Sequence, residues 1–195
     1  MIEKVEAIIN DARERFNAWV GTYEPWQGEN HTTERNLSFQ FATAFLKKYS
    51  DGFAFMEVPF AIPPSTYNCN HLDAYLHTQD FDLLLECKNI YAPSHIKNIV
   101  ADIERMNINL VDQIHRRHIV TKPTKTHGVV FAETWYQHVA DWWEDNSNVT
   151  RKKWVDRELR LPVRWNYRAK NIYKNEKKPN ETLFWLYGVS EPLNQ

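Results

Sequence analysis

The run "FDLLLECKNI" (residues 81–90) constrains the fold of this chain more than any other stretch. Short, leucine-rich and preceded by the polar pair Gln79-Asp80, it reads as a buried β-strand. Side chains alternate along a strand, so Phe81, Leu83, Leu85 and Cys87 make one apolar face and Glu86 and Lys88 share the other. Holding a carboxylate and an ammonium beside a core costs free energy unless they pair or bind something. A fold for this chain must cover the strand with apolar elements and still use its two charges.

The flanking pattern supplies those elements. Residues 3–20 read as an amphipathic helix, with Val5, Ile8, Ile9, Ala12, Phe16 and Trp19 near helical spacing. A loop follows, and Thr32 or Thr33 then caps a helix running to about Tyr49 on a stripe of Leu37, Phe41, Ala44 and Phe45. Strands are expected at about 53–60, 70–77 and 82–90. One long helix is expected over 96–117, with Ile99, Ile103, Met106, Leu110 and Ile114 inward, and after it a buried strand at 127–133 and a helix in "WYQHVADWWED". Beyond Asn146-Ser147-Asn148 come a basic helical stretch, a strand near 163–169 and the apolar run "TLFWLYGV". A strand–helix–strand crossover implies parallel pairing, whereas the three earlier strands, on shorter loops, form an antiparallel meander. The expected class is α/β: a mixed central sheet flanked by helices, with an N-terminal helix and a basic C-terminal extension. The chain reads as a single domain over 1–195, with its core at about 31–146 and the extension at about 149–195.

Composition narrows the class further. Eight tryptophans and only five glycines in 195 residues argue for an ordered globular protein. No apolar run approaches the roughly 20 residues that span a bilayer, and the charged N-terminus lacks an apolar signal region, so no membrane partner is expected. Cys69 and Cys87 make no disulfide framework, which points to a reducing, cytoplasmic setting. The net charge of −1 hides an asymmetry: Arg151 to Lys178 holds eleven Lys or Arg against three acids. A polyanion partner at the C-terminal part is one reading of that excess, and a solvated helix with spare lysines is the other.

The hairpin register brings a second acid to Glu86. A symmetric turn at Gln79-Asp80 pairs residues whose numbers sum to 159, placing Asp73 opposite Glu86 and His71 opposite Lys88. Directly opposed residues have Cβ atoms about 4.5–5.5 Å apart. Two carboxylates that close repel unless a proton or cation lies between them. Magnesium takes one or two carboxylates together with waters and phosphate oxygens, and Lys88 is one strand step away. Such a set suits metal-dependent cleavage of a phosphodiester. If the preceding loop centres on Ser65, Glu57 faces Asp73 as an accessory group, and His71 is a second accessory candidate.

Asp73, twelve residues, then Glu86-Cys87-Lys88 resembles the motif of the PD-(D/E)XK nuclease superfamily, whose restriction-endonuclease-like fold has an αβββαβ core. The resemblance covers roughly residues 31–135, with Leu72 standing where the family's name has proline. A second copy of the spacing, Asp156 and Glu176-Lys177-Lys178, lies in a polar stretch without a strand and is discarded. The resemblance implies Asp73, Glu86 and Lys88 as catalytic residues, a metal site at Asp73, Glu86 and Cys87, and Mg2+ or Mn2+ as cofactor. By strand parity the Cys87 thiol points into the core. Many members also carry a glutamate on the first core helix, for which Glu34 is the candidate, although acids in a first helical turn are favoured by the helix dipole anyway. The implied function is a magnesium-dependent DNA endonuclease leaving 5′-phosphate and 3′-hydroxyl ends, in restriction, repair or mobile-element processing. The alternative is a catalytically silent DNA-binding subunit on the same fold. Because cutting both strands commonly takes two sites, the resemblance extends to a homodimer.

For the DNA itself, Arg151, Lys152, Lys153, Arg160, Arg164 and Arg168 are the candidate phosphate contacts. In "RWNYR", Trp165 and Tyr167 alternate with the polar residues and read as core. "HRRH" at 115–118 reads as structural.

Overall fold

The apolar run forms β3 (Phe81–Asn89), an interior strand of a six-stranded mixed sheet. The structure is a computed structural model that describes residues 1–20, 32–61, 70–118, 125–145, 160–176, 178 and 181–194. The remaining elements are α1 (Ile2–Val20), α2 (Glu34–Lys48), β1 (Phe53–Phe60), β2 (Asn70–His77), α3 (Pro93–Arg105), α4 (Ile108–His118), β4 (Lys125–Thr134), α5 (Gln137–Asp145), β5 (Trp165–Lys174) and β6 (Thr182–Ser190). Strand order is β1-β2-β3-β4-β6-β5. Only β3 and β4 pair in parallel, and α3 and α4 make the crossover such a pair needs. No helix among the described residues is long and apolar enough to cross a membrane.

Both faces of the sheet are covered. On one, α1 and α2 pack against Leu83, Leu85, Cys87, Val129, Phe131 and Trp185. On the other, α3, α4 and α5 cover Leu84, Val130, Ala132 and Leu186. Glu86 shares that second face and is 4% exposed, so the charged side of β3 is interior and not a solvated hairpin face. Residues 165–190, assigned from sequence to an extension, supply β5 and β6 of this sheet, with β6 paired directly on β4.

The expected helix over 96–117 is two helices. Met106 ends α3 with its amide bonded to the Asp102 and Ile103 carbonyls, and the Asn107 side chain then accepts the Asn109 and Leu110 amides at 3.0 and 3.4 Å. A short amide side chain that competes for backbone donors starts a helix more readily than it continues one. Met106 is core, as its position in the apolar stripe suggests.

Both hairpin registers match the sequence expectation: β1–β2 partners sum to 130 and β2–β3 partners to 159. Each is interrupted at an acid. Ala54, Ala74 and Leu76 lie on the α1–α2 side, whereas Val58, Phe60 and Leu72 lie on the α3–α4 side. Alternation alone would keep even-numbered residues on one face. The pair therefore crosses over at Glu57 and Asp73, where Glu57 takes a left-handed φ of 55°. The β2–β3 ladder closes at Ala74↔Leu85, one residue short of Asp73.

Candidate active site

Where β2 and β3 part, the Asp73 carboxylate fills the opening: its Oδ2 accepts the Cys87 amide at 2.6 Å. In an extended strand a residue's N–H and C=O project to the same side, so the Cys87 main chain meets Asp73. Its thiol does not. The Cys87 side chain is fully buried on the α1–α2 face and burial pushes it well above the usual thiol range. The thiol lies on the core face that strand parity assigns to it, and only the backbone of Cys87 reaches the site.

Glu86 lies beside Asp73 on the α3–α4 face. Its Oε1 accepts from Arg105 Nη2 at 2.7 Å. Burial, then the neighbouring charges of Asp73 and Asp102, push its pKa up to about 8 in spite of Arg105. Asp73 is raised to about 6, mainly by burial, with its bond to the Cys87 amide opposing. Lys88 is one-fifth exposed and its Nζ sits 3.3 Å from Asp102 Oδ2 and 3.5 Å from Glu34 Oε2. Burial disfavours the ammonium, but the two acids outweigh it and the pKa is raised.

Glu34 belongs to this group because of how α2 begins. Thr33 caps the helix by accepting the Asn36 amide at 3.2 Å. The preceding Thr32 donates its hydroxyl to Glu133 Oε2 on β4 at 2.6 Å, and its carbonyl accepts the Asn89 side-chain amide. Pinned at two points to the sheet, the first turn carries Glu34 to the end of β3, where Oε1 accepts the Asn89 amide at 3.2 Å. Glu133 itself is buried, and desolvation raises it to about 7.

Two residues of the cluster escaped the sequence reading. Asp102 and Arg105, one turn apart on α3, are joined at 2.8 Å, and Asp102 bridges Arg105 to Lys88. A signal was present: Asp102 falls three residues after Ile99 and beside Ile103, a charge set into an apolar stripe. The accessory candidates fare differently. Glu57 is half-exposed, pairs with Arg35 at 3.4 Å and acts on Asp73 only by charge. His71 is exposed and lies opposite Pro59 on β1. The expected pairing of His71 with Lys88 is absent because the β2–β3 ladder has already ended.

Arg151, Lys152 and Lys153, like Cys69, lie outside the described residues. Arg160, Arg164 and Arg168 are exposed. Arg160 and Arg164 line a cleft of about 810 Å³ with Asn107 and Trp165, and neither Asp73, Glu86 nor Lys88 lines it. Tyr167 is core, edge-on to Trp143. His115 is structural: it bonds Asp82 at 2.8 Å, and the same carboxylate takes His77 at 2.7 Å, fixing α4 to the base of the hairpin.

Among the described residues no group of three or more His, Cys, Asp or Glu side chains is gathered to hold a metal. A zinc site of protein ligands does not fit. A magnesium-type ion, which takes one or two carboxylates and fills its shell with water and substrate oxygens, does fit Asp73 and Glu86, whose mutual repulsion a cation relieves. No family model matches the chain, and neither curated proteins nor solved structures contain a match.

Proposed function

We propose that this chain is a magnesium-dependent deoxyribonuclease with a restriction-endonuclease-like core. The observation that carries the reading is the juxtaposition of half-buried Asp73 and buried Glu86, both raised in pKa, with the ammonium of Lys88 beside them at the end of an interior strand. The order α2-β1-β2-β3-α3-α4-β4 agrees with an αβββαβ core in which the crossover helix is split.

In this reading Asp73, Glu86 and the Cys87 carbonyl would hold the divalent ion, which supplies charge neutralisation at the phosphate and acidifies water. Lys88 is held charged by Glu34 and Asp102, so it serves as an electrostatic group and not as a base. Its ammonium would position the attacking water and stabilise charge developing on the phosphate oxygens. Glu34 orients Lys88 through α2, and Asp102 does so through α3.

A second reading has support of its own: both cations beside the acids are already engaged, Arg105 with Glu86 and Lys88 with two acids, as in a silent DNA-binding subunit on the same fold. Supercoiled plasmid and linear duplex incubated with Mg2+ separate the two. A nuclease nicks or cuts, and Lys88→Ala, which removes no core atom, loses at least about a hundredfold in rate. Metal binding without cleavage would favour the silent subunit, and equal cleavage by Lys88→Ala would remove Lys88 from the mechanism.

A further inference from the structure

Arg105 is bound where it competes with a divalent ion for Glu86. Its Nη2 bridges Glu86 Oε1 at 2.7 Å and Asp102 Oδ1 at 2.8 Å. The Glu86 oxygen it covers belongs to the carboxylate that would take the metal. A divalent ion on the same carboxylate repels the guanidinium and takes up part of the attraction that holds it, so ion binding weakens the Arg105–Glu86 pair.

The guanidinium has somewhere to go. Its guanidinium carbon lies over the Phe60 ring, 5.3 Å from the centroid, and both residues line an open cleft of about 440 Å³. Arg116, Asn107 and Gln113 also line that cleft. Arg116 is 78% exposed with only a loose 3.8 Å approach to Asp112. The Nε of Arg105 is buried and has no acceptor among the described residues, so part of the donor fork is unused in the present pose. A planar fork with spare donors beside a second arginine suits a phosphate.

We infer that Arg105 is an exchangeable counter-ion: it neutralises Glu86 until a divalent cation takes that carboxylate, and its guanidinium, already over the Phe60 ring, then binds a substrate phosphate in the cleft it shares with Arg116. The phosphate half rests on the nuclease reading; the metal half does not.

The test compares wild type with Arg105→Met, Arg105→Gln and Arg105→Lys. Met keeps most of the apolar stem without the charge, and Gln is a second neutral variant in case the Met variant misfolds. Mn2+ is titrated by electron paramagnetic resonance at pH 9 without nucleic acid, so that protons do not compete for Glu86. Binding of a phosphorothioate duplex is then measured at saturating Mn2+. The neutral variants should bind Mn2+ about tenfold or more tightly than wild type and the duplex about tenfold more weakly, with Lys near wild type in both. Unchanged or weaker Mn2+ binding by both neutral variants overturns the inference even if wild type cuts DNA. Tighter Mn2+ and weaker duplex binding in a protein that never cuts supports the exchange and removes the nuclease reading. Absence of Mn2+ binding in every form removes both.

Discussion

Asp73 and Glu86 ionise reluctantly because both are withdrawn from water, and the charge of Asp73 further opposes that of Glu86. A neutral amide at 73 relieves Glu86 while its carbonyl can still accept the Cys87 amide, which lies 2.6 Å from the aspartate. Asp73→Asn should therefore stabilise the metal-free protein at pH 8 by about 1 kcal/mol, or ~3 °C, and abolish the stabilisation that Mn2+ gives wild type. Thermal melts with and without Mn2+ check both halves; a loss of stability would show that the two carboxylates do not oppose one another. The same scale shows what the sequence could reveal. The positions of Asp73 and Glu86 follow from turn symmetry, because a hairpin's register depends on a few local residues. Asp102 and Arg105 depend on how far α3 is rotated about its axis against the sheet, which packing decides and no local rule reports. Arg105 faces Glu86 across nineteen residues of chain, and only the crossover brings them together.

At the scale of elements, two interruptions shape the site. The first is the crossing of β1 and β2 at Glu57 and Asp73, which opens the gap that Asp73 enters. Left-handed φ is costly for a side chain and most costly for a β-branched one. Glu57→Gly should be neutral or stabilising by about 0.5–1 kcal/mol, since its exposed pair with Arg35 contributes little, whereas Glu57→Val should cost about 1–2 kcal/mol. Urea midpoints decide; equal effects would mean that the backbone at 57 is not strained. The second interruption is Asn107. Periodicity made residues 96–117 one helix because the apolar stripe runs on through Met106 into Leu110, and a cap inside a continuous stripe is hard to see. Asn107→Ala removes two side-chain bonds to the α4 amides and should cost about 1 kcal/mol. Circular dichroism and urea unfolding check it, and no loss would imply that α3 and α4 do not need the cap.

For the whole molecule, the sheet joins an acidic interior to a C-terminal half that cannot be detached. β6 pairs with β4, and the Trp143 indole donates to the Tyr187 carbonyl at 3.0 Å, so cutting the chain after α5 would strip a buried edge. Glu86, Glu133 and Asp73 are all raised by burial, to about 8, 7 and 6. A raised acid binds its proton more tightly folded than unfolded, so its contribution is complete below the unfolded pKa and is lost as pH rises through the folded one. His127 is lowered by burial and works the other way, but only below its unfolded value of 6.5. Above that the raised acids act together with the buried Cys87 thiol, which has the same sign as pH nears 9: the metal-free melting temperature should fall from pH 6.5 to 9. At the proposed site Mg2+ would replace a proton between Asp73 and Glu86 but not at Glu133, which is tied to Thr32 and Trp185. Magnesium should therefore raise the melting temperature more at pH 9 than at pH 6.5, and Glu133→Gln should flatten the metal-free decline while leaving the magnesium response intact. Calorimetry on wild type and this variant checks the division, and a magnesium response lost with Glu133 would move the cation away from Asp73 and Glu86.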